Sequence, residues 1–161
     1  MIEFMLLAAP RSGTAWAANW LTTDRSLCLH DPLNRWTLAE LDNRWLKHRK
    51  LGIACTVSAL SKDINQHTAR KVVLHRDPQE VRESMAQLRI RGDYDFAALD
   101  KVEGRHYDWE QLFEDPAPIY EFLLRVPFDI ERHRELRGMN VQNSRLIRQL
   151  QTGGARAFAH A

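Results

Sequence analysis

Two places in the first half of the chain join an apolar strand candidate to a helix start with almost nothing between them. Ile2–Ala8 (IEFMLLA) passes through Ala9-Pro10-Arg11-Ser12-Gly13-Thr14 into a helical stretch, Ala15–Leu21, where Trp16 and Trp20 stand four apart on one face. Lys71–His75 (KVVLH) runs into Asp77-Pro78-Gln79-Glu80, which supplies an N-cap, a proline at the first helical position and a capping-box glutamate. That join predicts a helix from Pro78 to about Ile90 with Val81, Ser84, Met85 and Leu88 on one face. A strand that feeds directly into a helix returns to the sheet by a crossover, so the sheet is predicted to be parallel.

The remaining elements fit between these joins. Ser26–Leu29 and Leu51–Val57 read as further strands. Thr37 and Glu40 form a capping box, Trp36 and Leu41 occupy the staple positions, and the helix they start is predicted to run to about Lys47. After Gly92 the chain turns polar, and the stretch GDYDFAALDKVEGRHYD reads as loop with some helix. Trp109–Phe113, Pro118–Leu124, a helix capped by Asp129 through Arg137, and Asn143–Gln151 before Gly153-Gly154 complete a helical second half. No linker separates the halves, so residues 1–161 are expected to form a single α/β domain.

Charge and cysteine content narrow the function classes. A formal net charge of +2 on 161 residues demands neither a nucleic-acid nor a membrane partner, while leaving room for a local anion site. Cys28 and Cys55 are far apart with no CxxC, which reads as two reduced thiols in a cytoplasmic protein. No apolar run reaches membrane length, the N-terminus lacks a signal-peptide pattern, and no His/Cys/Asp/Glu set has metal-ligand spacing. The basic clusters at Lys47–Lys50 and Arg132–Arg137 read as solvated helix faces.

The first join carries the chemistry. A strand, a tight turn and a helix start form an anion cradle, because the first helical N–H groups have no internal acceptor and the helix dipole favours negative charge there. Laid on the phosphate-loop pattern GxxxxGK[ST], the register fits at Gly13 alone: Ala8 replaces the first glycine, Thr14 the lysine and Ala15 the Mg²⁺-binding hydroxyl. A cation stands inside the loop instead, at Arg11. The fold expected is therefore a P-loop NTPase-like three-layer α/β fold with a short parallel sheet and a helical C-terminal half.

The stretch PRSGTAW, Pro10–Trp16, resembles the 5′-phosphosulfate loop of the P-loop sulfotransferases, P-[KR]-[ST]-G-T-[ST]-W, with Ala15 where that pattern has Ser or Thr. A second motif of that family, a strand ending in Arg with a Ser eight residues later on the next helix, is matched by Arg76 and Ser84 in KVVLHRDPQEVRES. The likeness extends loosely, through LHDPL and the late PFDIERHREL and NVQN stretches, to short bacterial and phage versions. The resemblance implies a sulfuryl transfer from 3′-phosphoadenosine 5′-phosphosulfate (PAPS), leaving PAP, to a hydroxyl or amine on a small-molecule or glycan acceptor, with no metal. It implies 5′-phosphate binding by the N–H groups of Ser12, Gly13 and Thr14, charge neutralisation by Arg11 at the transferring group, and 3′-phosphate binding by Arg76 and Ser84.

His30 and Asp31 follow the second strand at the sheet edge where open α/β folds bind ligands, and either would serve as the base that activates the acceptor. Trp36 is explained by its staple position and, as a second reading, by stacking on adenine. His75 reads as structural. Two other functions use the same scaffold: a P-loop kinase for a small metabolite, disfavoured by Thr14 and Ala15, and a nucleotide-binding or interaction protein without catalysis.

Overall fold

The structure, a computed structural model, describes residues 1–43, 49–56, 62–90, 92 and 94–139. Five strands, β1 (Ile2–Ala8), β2 (Ser26–His30), β3 (Lys50–Thr56), β4 (Arg70–His75) and β5 (Arg105–Asp108), form one sheet in the order β2-β3-β1-β4-β5. Every neighbouring pair is parallel. The fold is α/β with helices on the sheet faces, as the strand-to-helix joins predict.

β1 is central, and from Phe4 to Ala8 it is buried on both faces, which explains the continuous apolar run there; Glu3 near its start is exposed. Side chains alternate between the two faces of a strand. Met5, Leu7, Ile53, Cys55 and Val73 share one core cluster with Leu41, Ile64, Val81, Met85 and Leu99 from α2 (Leu38–Asp42), α3 (Lys62–Gln66), α4 (Pro78–Gln87) and α5 (Ala97–Asp100). Phe4 pairs in register with Gly52, and its ring takes the space of the missing side chain: a Cβ there would lie 2.0 Å from the ring. α1 (Thr14–Trp20), α6 (Gln111–Glu114) and α7 (Ala117–Leu124) bring a chain of aromatic contacts. Trp16 meets Trp20 at 5.3 Å and Phe113 at 5.0 Å, and Trp20 meets Tyr120 at 5.1 Å. The last carbonyls of α7 are satisfied by cations from the starts of two strands: Lys50 donates to Leu124 and Arg70 to Leu123.

Two local readings differ from the sequence expectation, and two more fall partly or wholly outside the described residues. α4 ends at Gln87, and Arg89 takes a left-handed φ of 55°, so Leu88 is 52% exposed instead of lying beside Val81 and Met85. The polar stretch before Trp109 contains β5, a strand held by its ladder to β4. The helix opened by the Thr37–Glu40 capping box is described to Asp42, and its expected continuation over 44–48 lies outside the described residues. The expected helix Asn143–Gln151 lies outside them too.

Two compact units divide the chain, Met1–Phe128 and the segment from Asp129 onward. In the second, α8 (Ile130–Arg137) starts where the Asp129 side chain accepts from the Arg132 N–H, and carries Arg134 and Arg137 in its last turn. Among the described residues no helix is long and apolar enough to cross a membrane. Cys28 and Cys55 are free and buried. Burial, aided by Cys55, pushes the Cys28 thiol well up. Burial also pushes Cys55 up to about 12, so neither is a thiolate at neutral pH.

Candidate functional site

The sheet order makes the chain turn opposite ways after β1 and β4, which are neighbours. The crevice beyond their carboxyl ends is where an open parallel sheet accommodates a ligand. Both motifs end there. After β1, Arg11 (φ 65°) and Gly13 (φ 80°) adopt left-handed conformations on either side of Ser12. Gly13 caps α1, its carbonyl accepting from the Ala17 N–H at 2.8 Å, while Ser12 and Thr14 are buried. Left-handed geometry is cheap for glycine and unfavourable for arginine. The second motif meets this backbone: Arg76 Nη1 donates to the Arg11 carbonyl at 2.6 Å.

Arg76 leaves β4 just before α4, whose first turn is capped by the Asp77 carboxylate accepting from the Gln79 and Glu80 N–H groups. Its Nε donates to Glu80 at 3.1 Å, and its guanidinium lies over the Trp109 ring, 4.3 Å from the centroid. Two turns into α4, Ser84 Oγ accepts from Arg11 Nε at 3.1 Å. Arg76 and Ser84 thus meet on Arg11, one at its carbonyl and the other at its side chain.

A second cluster adjoins the loop. Thr14 Oγ1 lies 3.2 Å from His30 Nε2 and 3.4 Å from Thr56 Oγ1. Asp31, in a left-handed conformation (φ 46°), continues the β2–β3 ladder by donating its N–H to Ala54. One carboxylate oxygen of Asp31 accepts from the Thr56 N–H at 2.5 Å; the other lies 3.3 Å from His30 Nε2. His30 and Asp31 are about a quarter exposed.

A cavity of about 600 Å³ is lined by Arg76 together with His75, Asp77, Phe96, Asp100, Asp108 and Glu110. His75 Nε2 lies 2.7 Å from His106 Nδ1, and His106 Nε2 is 2.8 Å from the Val102 carbonyl. Since Nε2 of His106 donates to that carbonyl, its Nδ1 accepts, and His75 Nε2 carries the shared proton. Burial, then the neighbouring His106, push the His75 pKa down, against Asp100 and Asp108. Among the described residues no group of three or more His, Cys, Asp or Glu side chains is arranged to hold a metal ion.

The eight residues singled out from the sequence lie at this edge: Arg11, Arg76 and Ser84 form one network, Thr14, His30 and Asp31 an adjoining one, and Ser12 and Gly13 lie in the loop between Arg11 and Thr14. Trp36 packs against the core cluster at its staple position. Thr56 and Trp109 were not singled out from the sequence, and Glu80, expected in a capping box, has its carboxylate on Arg76 instead. Thr56 had a signal, a hydroxyl closing an apolar strand; Trp109 had none beyond a helix start.

No protein-family model matches this chain, and no curated protein matches it. Among solved structures it is similar to mouse sulfotransferase SULT7A1 complexed with PAP, at 17% identity and a TM-score of 0.54. The likeness covers 84% of this chain and 62% of that one, so the chain spans less than two thirds of the neighbour's length. At that identity it shows the fold.

Proposed function

We propose that this chain is a sulfotransferase-like enzyme that binds PAPS at the β1–β4 crevice and promotes sulfuryl transfer to a hydroxyl or amine of a small-molecule or glycan acceptor. The observation that carries the reading is the meeting of Arg76 and Ser84 on Arg11, which joins the two resembling motifs into one network. The donor set suits the ligand: two guanidinium groups, a helix hydroxyl and first-turn N–H groups are all donors, and they stand at one strand edge. A PAP-bound sulfotransferase among the similar folds supports the same reading, as does the motif likeness to the short bacterial and phage type.

In this reading PAPS supplies the sulfuryl group and PAP is the product. The N–H groups of Ser12, Gly13 and Thr14 hold the 5′-phosphate, Arg76 and Ser84 hold the 3′-phosphate, and Arg11 stabilises charge that develops at the leaving oxygen. His30 takes the acceptor's proton at Nδ1. Its Nε2 faces Asp31, whose carboxylate orients the ring and stabilises the imidazolium that forms. Asp31 is the positioning residue in this account, because its other oxygen is taken by the Thr56 N–H.

The kinase reading is less well supported, since Thr14 stands at the phosphate-loop lysine position and faces His30, and Ala15 offers no oxygen to Mg²⁺. Incubation with sulfur-labelled PAPS and a panel of phenol, alcohol, amine and glycan acceptors tests the proposal. Label transferred to one acceptor class is the expected result. ATP turnover with Mg²⁺ and none of PAPS would replace it with the kinase.

A further inference from the structure

The five residues from Trp109 to Phe113 touch both motifs. The Trp109 N–H donates to the His75 carbonyl at 2.8 Å, which fixes the chain beside the end of β4, and the Arg76 Cζ lies over its indole, 4.3 Å from the centroid. The other end of the segment reaches the first loop. Leu112 is fully buried, with its Cδ1 3.3 Å from where a Cβ on Gly13 would sit, and Phe113 packs on Trp16 at 5.0 Å. Trp109 and Phe113 meet edge to face at 5.6 Å, so the two ends brace each other. Arg76 is held on three sides: Nε by Glu80, Nη1 by the Arg11 carbonyl and Cζ by the Trp109 ring.

We infer that Trp109 is a positioning residue that orients Arg76 and, with Leu112 and Phe113, sets the spacing between the Gly13 loop and Arg76. The segment thereby determines selectivity for a nucleotide carrying both a 5′- and a 3′-phosphate. The inference rests on the proposed function for its ligand and on the contacts above for its geometry. A guanidinium held over an indole ring loses rotational freedom before any ligand arrives, so less order is lost when it binds an anion. Without the ring, Arg76 keeps its charge and loses its fixed orientation.

The test compares Trp109→Met, which fills the volume without a π face, with Trp109→Tyr, which restores one. Calorimetric titration with PAP and with AMP is expected to show about a tenfold loss of PAP affinity in Trp109→Met, with AMP affinity unchanged, and recovery to within about threefold in Trp109→Tyr. In an Arg76→Lys background Trp109→Met is expected to change PAP affinity less than twofold. Equal losses for PAP and AMP, or no loss for PAP, would overturn the inference. A second readout separates it from the cofactor assignment: the Arg76 Nε–H resonance is expected to be shifted by the indole ring current in the wild type. If the wild type binds PAP and AMP equally, the cofactor assignment fails and that resonance decides. An unshifted Nε–H overturns the brace, and a shift lost in Trp109→Met supports it.

Discussion

Arg76 donates to the main-chain carbonyl of Arg11, a non-glycine residue in left-handed geometry, across 65 positions of sequence at 2.6 Å. The second motif thus contacts the first at its main chain. Removing this one side chain removes a main-chain hydrogen bond as well as a charge.

Arg76→Ala is therefore expected to destabilise the native state even without ligand. Loss of the charge-assisted hydrogen bond to the Arg11 carbonyl costs about 1.5–3 kcal/mol. Denaturant unfolding of the ligand-free protein measures it. A variant as stable as the wild type would show that the Arg11 carbonyl does not depend on Arg76.

Gly13 separates strain from crowding. Gly13→Ala meets both the φ of 80° and Leu112 at 3.3 Å, and is expected to lose about 1–2 kcal/mol of stability. Gly13→Val adds a branched side chain at the cradle and is expected to abolish PAP binding. Thermal unfolding with and without PAP reads both, and full PAP protection of Gly13→Val would remove the loop from the binding site.

Asp31→Asn is expected to lower turnover by roughly 10²–10⁴-fold while leaving PAP affinity within about twofold, because in the proposed mechanism its carboxylate, 3.3 Å from His30 Nε2, orients that ring. The measurement is a pH–rate profile beside a PAP titration. An unchanged rate would return the base assignment to another group.

Acidification is expected to destabilise the protein in a way that involves His75. Burial and His106 hold its pKa below the ordinary 6.5, so the unfolded chain takes the proton more readily. This contribution is present above about pH 6.5 and is lost as pH falls below that value toward the depressed folded one. His75→Gln is expected to show a smaller drop in Tm between pH 7 and pH 5 than the wild type. An equal or larger drop would place the acid sensitivity elsewhere.

Much of this site can be read from the sequence because its parts are local. Strand ends, caps and the Gly13 turn are short-range features, and in a parallel sheet carboxyl ends gather on one edge, so Arg11, His30 and Arg76 had to converge. β5 is different. Arg105-His106-Tyr107-Asp108 lies at a sheet edge with little to bury, so it carries no apolar alternation and is defined by its ladder to β4. Trp109 over Arg76 is likewise a tertiary contact with no local pattern, and the Thr56 N–H bond to Asp31 depends on the β2–β3 register.

The central claim is that the β1–β4 crevice recognises a 3′-phosphorylated adenine nucleotide through Arg76 and Ser84. Calorimetric titration of the wild-type protein with PAP and with AMP, without metal, tests it most directly. The account predicts that PAP binds at least tenfold more tightly, since a charge-assisted contact contributes about 1.5–3 kcal/mol, and that Arg76→Ala removes most of the difference. Equal affinities for PAP and AMP in the wild type would contradict it.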